Sequence, residues 1–112
     1  MDRKLSHLGM AKKAGFLAVG SEAASLAARR GEAVLIITAS DASDGSVRRA
    51  AANAGSYGIK HIPVPYTMFE LGNITGRGSP GTIAFLNKGL ANGFEKRLAE
   101  NQPAGKDEES DA

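Results

Sequence analysis

Apolar residues along this chain change period several times, and each change marks a predicted element. Over residues 3–14, Leu5, Leu8 and Ala11 step by three along one face, which predicts a helix that Gly15 stops. Residues 16–19 (FLAV) predict a short strand. Gly20 follows, and Ser21 reads as the N-cap of a helix running to Arg30, a cap worth about 1 kcal/mol. Gly31 closes that helix, with Arg29 and Arg30 in the last turn, where cations favour the helix dipole. Residues 34–38 (VLIIT) are continuously apolar, the pattern of a strand buried on both faces.

The segment SDASDGS is turn and cap chemistry. Val47, Ala50, Ala51 and Ala54 then follow the i, i+3, i+4, i+7 rule of a helix, with Arg48 and Arg49 off the apolar face. Gly55 and Gly58 end it. HIPVP predicts another short strand, placed at a sheet edge because Pro63 has no N–H for a ladder bond. Thr67 and Glu70 form a capping box for a short helix that ends by Gly72 or Gly76. A glycine-rich loop, GRGSPG, leads to a further apolar strand at residues 82–86. Leu90, Phe94 and Leu98, four apart, mark the final helix. Helices alternating with wholly apolar strands predict an α/β fold, a three-layer α-β-α sandwich on a small mixed sheet of about four strands.

Length and composition narrow the picture. The 112 residues suit one domain, expected over residues 1–100. The stretch 101–112 (NQPAGKDEESDA) has no large apolar residue and is expected to be a disordered acidic tail. No cysteine is present, so disulfides and thiolate metal sites are excluded. No apolar run approaches the roughly 20 residues of a membrane span, and MDRKLSHLGM is not a signal peptide, so a cytoplasmic protein without membrane contact is expected. Setting Lys106 and the four acids of the tail aside from 14 basic and 12 acidic residues leaves 13 and 8, a balance of +5 over the first hundred. Such a basic body suits either a polyanionic partner or a merely solvated surface.

Candidate enzyme chemistry is sparse. His7 falls in the first helix and His61 in a strand, and HExxH, CxxC and GxSxG are absent. Asp41 and Asp44 follow a strand, where α/β enzymes hold acids, but aspartates there are commonly turn and cap residues. No metal spacing and no cofactor motif appears. GRGSPG lacks the Lys-Ser/Thr of a phosphate-binding P-loop, and a strand follows it instead of a helix. It suits a loop whose backbone approaches a partner closely.

The alanine-filled helix after Gly20 allows two orientations. Either Ala24, Ala27 and Ala28 face the core and leave Glu22, Leu26, Arg29 and Arg30 outside, or Ala23, Leu26 and Ala27 face inward. Periodicity does not separate them.

GSEAASLAARRGEAVLIITASDAS resembles the signature of the kink-turn RNA-binding ribosomal protein family, the L-seven-Ae type, in its small bacterial form. FELGNITG followed by SPGTIAFLNKG resembles that family's second landmark, and LGMAKKAGFLAVG its bacterial leading segment. The three pieces lie in order, and the resemblance covers about residues 3 to 98. The resemblance implies a monomeric, non-catalytic protein, without cofactor or metal. It implies binding of structured RNA, ribosomal RNA or the ribosome included, through the start of the second helix and the loop before the last strand. In the family pattern Gly-x-Asn-Glu-x-x-Lys, Gly20 matches the glycine, Ser21 the next residue and Glu22 the asparagine, with a carboxylate able to accept from guanine N1–H and N2–H₂. Ala23 stands at the glutamate and Leu26 at the lysine. The loop carries over to Arg77, Gly78, Ser79, Pro80, Gly81 and Thr82, and Arg77, Lys12, Lys13 and Arg30 are implied phosphate contacts, which position RNA without reading its sequence. Leu26 and Ala23, with Ala18 and Val19, also make this face unusually apolar, which supports an alternative: a protein–protein adaptor on the same fold. A hydrolase built on Asp41 with His61 or His7 is a third expectation to test.

Overall fold

The computed structural model describes residues 3–100; the expected tail at 101–112 lies outside them. Nine elements run in the order α1 (Arg3–Lys13), β1 (Leu17–Val19), α2 (Ser21–Arg29), β2 (Leu35–Thr38), α3 (Asp44–Tyr57), β3 (Lys60–Pro63), α4 (Met68–Thr75), β4 (Thr82–Phe85) and α5 (Lys88–Glu100). The sheet has strand order β1-β4-β2-β3. β4 is antiparallel to both β1 and β2, while β2 and β3 are parallel. The fold is therefore a three-layer α-β-α sandwich on a mixed four-stranded sheet. Pro63 lies on β3, at the edge, as its missing N–H requires.

Side chains alternate across the sheet, and the two faces are unlike. Leu35 and Ile37 of β2, with Ile83 and Phe85 of β4, pack against α1, α4 and α5 in a core that includes Leu8, Leu71, Phe94 and Leu98. Each such fully buried side chain stabilises by roughly 1.5–3 kcal/mol. The Phe85 and Phe94 rings lie 5.2 Å apart. On the other face, Ile36 and Ala84 meet Ala24, Ala27 and Ala28 of α2 and Ala50 of α3. The alanines of α2, with Ala84 on the sheet, let the backbone of α2 approach the sheet closely. The first of the two orientations is the observed one: Ala24, Ala27 and Ala28 are buried, and Leu26 is 37% exposed.

Several local features differ from the sequence pattern. Ser21 is not the N-cap of α2; Gly20 is, and no side chain caps this end. Gly20 has φ 106° and ψ 155°, a conformation that is essentially glycine's alone. Val34 stays outside β2 and is half exposed, although its N–H donates to the Phe85 carbonyl at 2.8 Å. Ala51 faces solvent, and α3 packs through Ala50 and Ala54. Ser25 is buried beside the alanines because Asn53 of α3 reaches it, its Nδ2 donating to Ser25 Oγ at 2.8 Å. The capping box at α4 is present, with Thr67 and Glu70 each accepting from the other's backbone N–H. That helix ends at Gly76, whose left-handed φ of 72° releases the chain.

Candidate nucleic-acid interface

The antiparallel pairing of β1 with β4 decides what meets the start of α2. Val19 lies opposite Ile83, so the chain leaving β1 and the chain entering β4 share one end of the sheet. Gly20 N–H donates to the Thr82 carbonyl at 2.8 Å, joining the first residue of the candidate site to the last. Gly20 and Ala24 close the first helical hydrogen bond. The N–H groups of Ser21, Glu22 and Ala23 have no intrahelical acceptor and no side-chain cap, so they leave the positive end of the helix open. Glu22 projects outward with its side chain 94% exposed. Leu26, four residues on, continues the same helix face. Ala23 is half-buried.

The loop over residues 76–81 is shaped by glycines. Gly78 has φ 47°. A β-carbon on Gly72, inside α4, would overlap the Gly78 carbonyl oxygen, so the loop backbone lies directly against the helix. The Arg77 N–H donates to the Gly72 carbonyl at 3.2 Å, and the Ala39 N–H to the Gly81 carbonyl at 2.9 Å. Pro80 is buried and anchors the turn, while Arg77, Gly78 and Ser79 are exposed. Gly81 fits against Ala42 and the Met68 sulfur. Thr82 is 97% buried, being 3% exposed, and its Oγ1 has no hydrogen-bond partner among the described residues.

The basic candidates divide between two places. Lys12 and Lys13 line a groove of about 620 Å³ between α1 and α4, together with Asn73, Ile74 and Gly76, so they flank the start of the loop. Arg30 lies at the other end of α2, about 15 Å from Gly20 along the axis at 1.5 Å per residue. The structure does not bring it to the loop. Two residues that sequence patterns missed belong to the site: Gly72, and Arg49 of α3, whose Nη2 stands 3.8 Å from the Glu22 carboxylate. Nothing local signals either contact. The Glu22–Arg49 pair joins two helices across 27 residues of chain.

No protein-family model and no curated protein matches the chain. Solved structures do. A protein of unknown function from Bacillus halodurans superposes with a TM-score of 0.80 at 26% identity, covering 88% of this chain and 98% of that one. A Giardia lamblia 15.5 kD RNA-binding protein superposes with a TM-score of 0.66 at 17% identity, covering 86% of this chain and 82% of that one. The likenesses extend over nearly the whole described fold, helices and sheet together.

The enzyme candidates have separate partners. The Asp41 carboxylate accepts from the Met68 N–H at 2.8 Å and so fastens the start of α4. His61 Nε2 shares a 3.0 Å hydrogen bond with Thr38 Oγ1, and burial holds the His61 pKa below its usual 6.5. His7 Nε2 donates to the Leu90 carbonyl at 2.9 Å. Among the described residues no group of three His, Asp or Glu side chains forms a metal-binding cluster. Among the described residues no helix is long and apolar enough to cross a membrane.

Proposed function

We propose that the protein is a non-catalytic, monomeric RNA-binding protein that recognises a structured, kink-turn-like RNA, in association with the ribosome. The observation that carries this reading is the Gly20–Thr82 hydrogen bond, which puts the open N-terminus of α2 beside the glycine-rich loop. The N–H groups of Ser21 to Ala23 suit phosphate or base acceptors of a sharply bent strand. Glu22 accepts from guanine N1–H and N2–H₂. Arg77, Lys12 and Lys13 supply phosphate contacts, and Gly78 and Ser79 allow an unstacked nucleotide to lie against backbone. Fold likeness to an RNA-binding protein adds support.

Titration against a kink-turn RNA and a straight duplex at two salt concentrations tests the proposal. Tighter binding to the kink-turn, persisting at the higher salt, is expected. Equal affinity for both would discard shape recognition.

A second reading, a protein–protein adaptor, draws on exposed apolar side chains. Leu26 is 37% exposed on the candidate face, and Met10 and Phe69 are 63% and 69% exposed elsewhere. Pull-down from lysate with and without nuclease separates the two readings, since partners retained after RNA digestion favour the adaptor.

A further inference from the structure

Arg30 and its neighbour Arg29 are left over when the interface is assembled at the other end of α2. Arg29 borders a cleft of about 420 Å³, within the size range of small-ligand sites, where the C-terminal ends of α2 and α3 meet the start of α5. Its walls include Arg29, Tyr57, Lys88, Asn92 and the exposed Val34. Tyr57 is the last residue of α3, and 45% of it is open to solvent.

The charge of this cleft is one-sided. No carboxylate lines it, and neither Arg29 nor Lys88 has an ion-pair partner among the described residues. Glu32, the nearest acid along the chain, is exposed in the following loop and is not part of the wall. Helix C-termini would normally add negative potential here. That contribution is offset in part, because three of the closing carbonyls carry donors. Ala27 O accepts from Glu32 and Ala33, Ala28 O from Gly31, and Ala54 O from Gly58 and Ile59. The start of α5 supplies Lys88, Ala91 and Asn92 to the wall, and its Leu90 N–H is capped by Asn87 Oδ1 at 2.9 Å.

We propose that this cleft binds a phosphorylated nucleoside unit, with the base stacked on Tyr57 and the phosphate held by Arg29 and Lys88. An aromatic ring beside cations that no described acid neutralises is the pairing that nucleotide stacking platforms use. The Asn92 side-chain amide offers a donor and an acceptor to a base edge. The backbone at Gly31 and Gly58 carries no side chain to block approach. One chemistry serves two sources, a free mononucleotide or a nucleotide within a single-stranded RNA. This site is separate from the interface proposed above and does not depend on it.

The test uses the full chain with isotope-labelled amides. It is titrated in separate arms with the four nucleoside 5′-monophosphates, a short single-stranded RNA oligonucleotide and inorganic phosphate. Saturable shifts at Gly31, Gly58 and Asn92 are expected. Tyr57→Leu is expected to weaken binding by at least about fivefold, the low end for removing one base–aromatic stack. Lys88→Gln is expected to weaken it and flatten its salt dependence. Spectra of both variants, unchanged away from the cleft, establish that they fold. Binding of the mononucleotides assigns a free-nucleotide site, and binding of the oligonucleotide alone assigns a strand segment. No saturable shift in either arm, an equal response to inorganic phosphate, or indifference to Tyr57→Leu overturns the proposal. Gly20 and Gly78 amides report the other interface in the same spectra, so failure of one site is distinguishable from failure of the other.

Discussion

Gly72 sits inside α4 in a space that the loop backbone already occupies, which makes it a positioning residue for the candidate interface. Gly72→Ala is expected to cost about 1–3 kcal/mol, the usual range for overpacking, and to move Gly78 and Ser79. Thermal melts check the first effect and RNA titration the second. Gly55 is the control: it is helical with open space around its α-carbon, so Gly55→Ala is expected to stabilise by about 0.5–1 kcal/mol. His61 provides a pH-dependent residue. Burial lowers its folded pKa from 6.5, so the unfolded chain takes up a proton first as pH falls. Stability is therefore unaffected by this group above pH 6.5 and declines below it, down to the folded-state midpoint. Melts from about pH 7.5 to about pH 5 are expected to show a smaller loss in His61→Gln than in the parent. Identical pH curves would remove His61 from the account.

At the scale of elements, α2 combines a thin buried face with an outer face that sequence and structure leave open. Ala28 is fully buried against the sheet. Ala28→Leu is expected to cost about 1–3 kcal/mol by forcing the layers apart. Leu26 faces outward, so Leu26→Lys is expected to change stability by no more than about 0.5 kcal/mol. If the face binds RNA, the added lysine raises affinity and steepens the salt slope by about 0.7–0.9. An unchanged slope would place Leu26 outside the RNA contact. The orientation of α2 was not readable from its own residues, because alanine fits either face. The sheet decided it, through the small side chain of Ala84 and the reach of Asn53 to Ser25.

Across the whole molecule, the two sheet faces divide the work. Large side chains between the sheet and α1, α4 and α5 supply most of the apolar burial, while the alanine face sets the placement of α2. The two candidate sites lie at opposite ends of α2, its open start at one and the Tyr57 cleft at the other. Charge acts at this scale. The full chain carries +2, and residues 1–100 carry +5. Removing residues 101–112 is expected to strengthen binding to RNA of any shape, more at low salt than at high salt. Comparing full-length and shortened chains on kink-turn and duplex RNA at two ionic strengths checks this; an equal salt response would exclude a long-range effect of the tail.

By itself the sequence determined the elements and the sandwich, since these rest on local period, caps and glycine stops. The runs at β2 and β4, the edge position of Pro63 and the Thr67–Glu70 capping box were all readable from neighbouring residues. It also named most of the candidate interface. What only the tertiary structure decided were contacts between segments far apart in the chain. Pairing of β1 with β4 set Gly20 against Thr82, and packing placed Arg49 beside Glu22 and Gly72 beneath Gly78. It also separated Arg30 from the loop by the length of a helix. Local patterns report which face of an element is apolar, but strand register and helix packing choose which distant residues meet there.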